Sequence, residues 1–297
     1  MRNWIEGFCF GFVSFLMLLL LMAPKHSKEE LAPQEYLKTL IAQGPISARD
    51  ELSLAADIYY LSVKFSDSII THIARADQRA GLVSARPKIR GFEKIGVDNA
   101  QLLTLWSEKY YPKHWIEGNL DTVTFGSKQK EGFPDYGIKI STAASTEDFK
   151  HLITIFGFPE KTPEARDATR KNLDWNFSHE IGHDNDWVNA RYLSPRERVE
   201  FLAQVSLASR APHAFRDRFG YVDSINNSDP QKEAYYKVRE WWGSLCEDYF
   251  TFPDSLRESF PESFAFIDGI VKKSDPDFDT FTAKKKRDAF FKKIIGN

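Results

Sequence analysis

The chain has 297 residues, 42% of them hydrophobic and 14% aromatic, which supplies ample apolar surface for one large packed domain or two small ones. Its formal charge of -2 leaves no overall basic footprint, so nucleic acid is not the expected partner. Two cysteines, Cys9 and Cys246, exclude a disulfide framework and a cysteine-based zinc cluster.

The first element is the apolar stretch "WIEGFCFGFVSFLMLLLLMA", Trp4 to Ala23, which matches the ~20 residues needed to cross a bilayer. Glu6 lies near enough to its end to reach the interface. A cleaved leader would need small residues at its end, yet Leu-Met-Ala runs straight into Pro24. Positions 1–25 are therefore read as an uncleaved single-pass anchor, with a signal sequence as the alternative. Arg2 and the terminal amine nearly balance Lys25 and Lys28, so the positive-inside count is weak, and the remainder is expected on the extracytoplasmic side. Positions 26–46 are charged and polar and form a tether.

From Ser47 the residues Leu52, Ala55, Ala56, Tyr59, Val63, Ser66 and Ile69 recur at helical spacing and predict one long amphipathic helix to about Arg75. The stretch "SARPKIRGFEKIG" reads as loop, and "NAQLLTLWSEKYY" as a second helix. The region 47–115 is thus helical and of unassigned role. Beyond it "LDTVTFGS" and "YGIKIST" carry β-branched and aromatic residues between Gly, Pro and Asp, and predict short strands. In "STEDFKHLITIFG" the positions Phe149, Leu152, Ile153 and Phe156 fit a helix, although Ile-Thr-Ile would suit a strand; helix is the expectation. Thr162 and Pro163 open a helix by cap and first-turn rules, and that helix runs into "NFSHEIGH". The closing "TAKKKRDAFFKKIIGN" is a basic helix with Phe290, Phe291, Ile294 and Ile295 on one face, its charges on a solvated surface.

Two of the seven histidines, His179 and His183, stand four apart on this helix, one above the other, and can aim two imidazoles at one point. Glu180 is turned by about 100°, beside that point, where a carboxylate can take a proton from a metal-bound water. Zinc suits such a donor set because it accepts imidazole and carboxylate, keeps one position open and lowers the pKa of its water towards ~7. A further helix is predicted from Asp229 and Pro230 to about Phe250, with Tyr235, Val238, Trp242, Leu245 and Tyr249 facing the core. Tyr236, Glu240, Ser244 and Glu247 share its other face, and spacing alone leaves both Glu240 and Glu247 open as a third ligand.

The sequence "HEIGH" resembles the zinc-binding helix of the zincin metallopeptidases. A metzincin would need Gly and His where Asp186 and Asn189 stand, so that branch is excluded. The segment "EWWGSLCEDYFTFPDSLRESFPESFAFI" resembles the gluzincins related to Mlc titration factor A and, more distantly, to lethal-factor-type toxins. The resemblance covers about Leu120 to Ile270. It implies that Glu240 is the third ligand, with Glu247 as alternate ligand or as outer partner of a ligating imidazole; Trp241, Trp242, Gly243, Pro253, Leu256 and Pro261 then fall into register. It implies an α+β, zincin-like catalytic domain over 116–297, predominantly helical with a small sheet, one Zn2+ per chain, and a protein or peptide substrate. "YGIKIST" is expected to be the edge strand along which such a substrate lies.

One position departs. Where these enzymes carry a tyrosine that stabilises the oxyanion, this chain has Glu233, and Tyr235, Tyr236, Tyr221 and His213 become the candidates. Asp184, Asp186 and Glu247 are candidates to hold the ligating imidazoles from behind. The expected function is a membrane-anchored zinc metallopeptidase; the alternative is a binding or regulatory protein of the same fold, with a structural zinc site and little turnover.

Overall fold

The computed structural model describes residues 87–295 except 106–109, 118, 127–130, 134–137, 142–143, 148–150, 157–171, 188, 191, 194, 219 and 229. The apolar stretch Trp4–Ala23, the tether, the long helix from Ser47 to Arg75 and the helix start at Thr162 and Pro163 lie outside the described residues. Among the described residues no helix is long and apolar enough to cross a membrane.

In chain order the elements are β1 (Lys88–Arg90), a 3-10 turn (Phe92–Ile95), α1 (Asn99–Leu105), α2 (Lys113–Ile116), β2 (Thr122–Gly126), β3 (Glu131–Phe133), β4 (Ile138–Ser141), β5 (Ala144–Glu147) and β6 (Leu152–Phe156). Among the described residues the elements that follow are helices: α3 (Leu173–Asp184), α4 (Pro195–Arg210), α5 (Tyr221–Ser224), α6 (Pro230–Thr251), α7 (Pro253–Ser259), α8 (Pro261–Ser274) and α9 (Thr280–Ile295). The class is α+β, predominantly helical with a small sheet, as the sequence leads one to expect.

Four strands form one sheet in the order β1-β2-β6-β5, and β3 pairs with β4 in a separate two-stranded sheet. β1, β2 and β6 are parallel, while β5 runs antiparallel to β6. Alternation builds this layer: Val123, Phe125, Ile153 and Ile155 point inward and are buried, while Thr122, Thr124, Leu152 and Thr154 are half-buried. Residues 88–105 contribute β1 to the sheet and Phe92, Leu102 and Leu105 to the same core as the motif helix.

Two expectations are corrected here. The segment expected to be helical is a β-hairpin, with Thr146 opposite Ile153 and His151 in the turn at φ 48. Its apolar spacing admits either period, and the β-branched run Ile153-Thr154-Ile155 settles in a central strand, where branched side chains pack without the χ1 restriction that a helix imposes. The stretch read as a loop contains β1, whose three residues are too few to show a period and are held by parallel pairing to β2.

Behind the sheet, α3 packs on β5 and β6, and α6 crosses α3 on its other side. The stripe expected on α6 is buried throughout, and its Trp242 meets Phe201 edge to face at 5.0 Å between ring centroids. On α9 the lysines 285, 286, 292 and 293 are exposed, as expected, and Phe290 and Phe291 are buried. Arg287 departs from that pattern: it is fully buried, bonded to Asp174 at 3.0 Å, to the Tyr110 carbonyl at 2.7 Å and to the Phe250 carbonyl, so a charge inside a basic run closes the core.

Candidate metal centre

The site is built at the crossing of α3 and α6. Helical spacing puts His179 and His183 on the face of α3 that meets α6, with their rings 4.8 Å apart between centroids. The two helices approach closely because each has a glycine at the contact, Gly182 on α3 and Gly243 on α6. A β-carbon on Gly182 would lie 2.8 Å from the Cys246 β-carbon, and one on Gly243 would lie 2.9 Å from both His179 Nε2 and His183 Nε2. Trp242 locks the crossing by donating its indole N–H to the Gly182 carbonyl at 2.9 Å.

Three donor atoms converge there. His179 Nε2 is 3.1 Å from His183 Nε2 and 3.2 Å from Glu240 Oε2, and the latter is 3.4 Å from His183 Nε2. Donors placed tetrahedrally around an ion with bonds of ~2.0–2.1 Å lie about 3.3 Å apart, so the spacing fits. His179, His183 and Glu240 form a cluster that can hold a metal ion. Glu180, the residue after the first imidazole, is turned towards the sheet: Thr146 on β5 donates its hydroxyl to Glu180 Oε2 at 2.7 Å.

Glu247 meets the other nitrogen of His179, with Nδ1 to Oε2 at 3.1 Å. It orients the ring from behind, which leaves the Nε2 side to the ion. Asp184 and Asp186, expected as equivalents of Glu247, are bonded elsewhere. Asp184 joins His151 at 3.1 Å and Asn119 at 3.0 Å, and Asp186 accepts from Arg239 at 2.8 Å and from the Asn189 backbone N–H at 2.9 Å. They tie the end of α3 to the sheet and to α6. The His183 Nδ1 atom is buried without a hydrogen-bond partner.

The candidates for the missing tyrosine separate. Tyr235 is buried in the core, edge to face with Trp187 at 6.2 Å. Tyr236 lies one turn before Glu240 on the same face, also buried. His213 is exposed. Tyr221, on α5, comes within electrostatic reach of the site: burial, followed by the negative charges of Glu240 and Glu180, raises its phenol pKa. Glu233 sits outside the centre in a pair with Lys237 at 2.6 Å. Comparison with protein-family models, with curated proteins and with solved structures found no match.

Charges within the cluster are coupled. Burial works against a charged His179, but its hydrogen bonds to Glu240 and Glu247 and the charges on those carboxylates outweigh it and lift this imidazole well above its usual range. Burial likewise opposes a charged Glu240, yet the charge on His183 and the hydrogen bonds of both imidazoles hold its carboxyl below the usual range. Glu247 is pushed up to about 7, by burial first and then by Asp248 and Asp217 against the pull of His179.

A pH dependence follows for the metal-free protein. The raised groups, His179 and Glu247, contribute stability that is full below their unfolded values of ~6.5 and ~4.3 and is lost as pH rises through their folded values. Glu240, being lowered, contributes stability that is present above ~4.3 and is lost as pH falls below it. Metal needs these groups deprotonated and competes better as pH rises. The gap in Tm between zinc-loaded and metal-free protein is therefore expected to be wider at pH 8 than at pH 5.5, as measured by thermal unfolding of protein stripped of metal and reloaded with one equivalent. An equal or narrower gap at pH 8 contradicts the assigned site.

Sequence reasoning missed Thr146, His151, Asn119 and Arg239. The first two lie on the misread hairpin and carried no sequence signal. Arg239 adjoins a candidate ligand and pairs with an acid already singled out, so it was within reach.

Proposed function

We propose that this chain is a zinc-dependent metallopeptidase of the gluzincin type, held at a membrane by Trp4–Ala23 with its catalytic part extracytoplasmic. The observation that carries the reading is the convergence of His179, His183 and Glu240, from two crossing helices, with Glu180 next to the first imidazole in the chain. One Zn2+ per chain suits this donor set of two imidazoles and a carboxylate, and when bound it would supply Lewis acidity to polarise a peptide carbonyl and acidify a water.

The protein's own groups do the rest. Glu180 Oε2 is engaged by Thr146, so Oε1 is the atom that takes the proton of the attacking water and hands it to the leaving amine. Glu247 holds His179 in the tautomer that presents Nε2. Tyr221 supplies a protonated phenol within electrostatic reach of Glu180 and Glu240, which makes it the candidate to donate to an oxyanion where this chain has Glu233 instead of a tyrosine. The strand that touches Glu180 is β5, through Thr146, while the expected "YGIKIST" lies in β4 of the separate two-stranded sheet. β5 is an edge of the four-stranded sheet, and an extended peptide would add along it.

The test is hydrolysis of an unstructured peptide mixture by the full chain. Cleavage that stops when metal is removed and returns with one equivalent of zinc supports the reading. A well-folded chain that binds one zinc and never cleaves favours the binding-protein alternative.

A further inference from the structure

On the reading just given, the strand and the proton acceptor are joined by one side chain. Thr146 Oγ1 lies 2.7 Å from Glu180 Oε2 and 3.0 Å from the Glu180 backbone oxygen. A hydroxyl has one proton and a carboxylate only accepts, so the charged oxygen is the stronger of the two acceptors. The placement follows from register. Thr146 pairs with Ile153, cross-strand partners share a face, and Ile153 is fully buried beneath α3. The branched β-carbon of Thr146 limits its rotation, and Glu180 is itself only 5% exposed.

We infer that Thr146 is a positioning residue for the proposed peptidase: its hydroxyl fixes Glu180 by Oε2, keeps Oε1 as the proton-accepting atom, and makes the placement of the base depend on the placement of β5. A substrate that adds to β5 then steadies the base through Thr146. Sequence alone did not indicate this role, because it arises only from the hairpin pairing.

The test uses the full chain with Thr146→Val, which keeps the shape and removes the donor, and Thr146→Ser, which keeps the donor. Since misplacing a reacting group by about 1 Å can cost ~100-fold, Thr146→Val is expected to lower kcat by about 10- to 100-fold with KM within about twofold and zinc content unchanged. Thr146→Ser is expected to restore most of the loss. A second readout needs neither zinc nor turnover: in urea unfolding of Thr146→Val, Glu180→Ala and the double variant, the equilibrium constants are expected to depart from multiplicative by about tenfold. If Glu180→Gln abolishes turnover while Thr146→Val turns over at the wild-type rate, the inference fails and the peptidase reading stands. Multiplicative unfolding constants also overturn the inference. A zinc-loaded wild type without turnover overturns the peptidase reading and the inference with it.

Discussion

Glu180→Gln is expected to bind zinc as the wild type does and to lose about 10²- to 10⁴-fold in kcat, the range that a positioned general base contributes. Glu180 is not among the converging donors, and its carboxylate accepts a hydrogen bond from Thr146. Glutamine keeps an oxygen that Thr146 can donate to, so the hydrogen bond between strand and helix survives and the variant folds. What it loses is the ability to take a proton. Zinc content by atomic spectroscopy and a peptide-cleavage progress curve on the same sample check both halves. Cleavage at the wild-type rate would sink the mechanism, and wild-type biological function without cleavage would mark the chain as a binding protein.

The second large effect separates the two glutamates on α6. They stand seven residues, and hence about 10 Å, apart along the helix, and they address opposite sides of one ring, Glu240 towards Nε2 and Glu247 at Nδ1. His183 Nε2 lies on the Glu240 side, so that is the side able to hold an ion. Losing an outer partner such as Glu247 weakens metal binding by ~10- to 100-fold, and Glu247→Ala is expected in that range. Glu240→Ala removes a ligand and is expected to exceed it, leaving no retained zinc after gel filtration. Circular dichroism confirms folding of each variant, and titration with a chromophoric chelator gives the affinities. A larger loss in Glu247→Ala than in Glu240→Ala would reverse their roles.

The distinction between Glu240 and Glu247 shows where a linear reading stops. Both share a helix face, and periodicity says no more than that. Which of them meets Nε2 depends on where α6 crosses α3, and the crossing is set by Gly182 and Gly243, whose importance lies in missing side chains. The helices themselves were legible, since His179 with His183 and the apolar stripe from Tyr235 to Tyr249 repeat at helical period. The hairpin was not, because its apolar residues satisfy two periods and only the parallel neighbour β2 decides between them. Asp184 and Asp186 are candidates by sequence proximity to hold the ligating imidazoles, a role that the structure gives to Glu247 alone among the three. Their partners Asn119, His151 and Arg239 come from distant parts of the chain, and nothing local announces that the acids are buried.

The contact between Gly182 and Gly243 also fixes an order of events in the life of the chain. While only α3 has left the ribosome, His179 and His183 offer two donors and the site cannot close. α4 and α5 must be made before Glu240 arrives, and the entropy of closing the loop they form opposes the docking of α6 on α3. An ion held by His179, His183 and Glu240 would be a clasp across that loop, tying α6 to α3 for as long as it stayed bound.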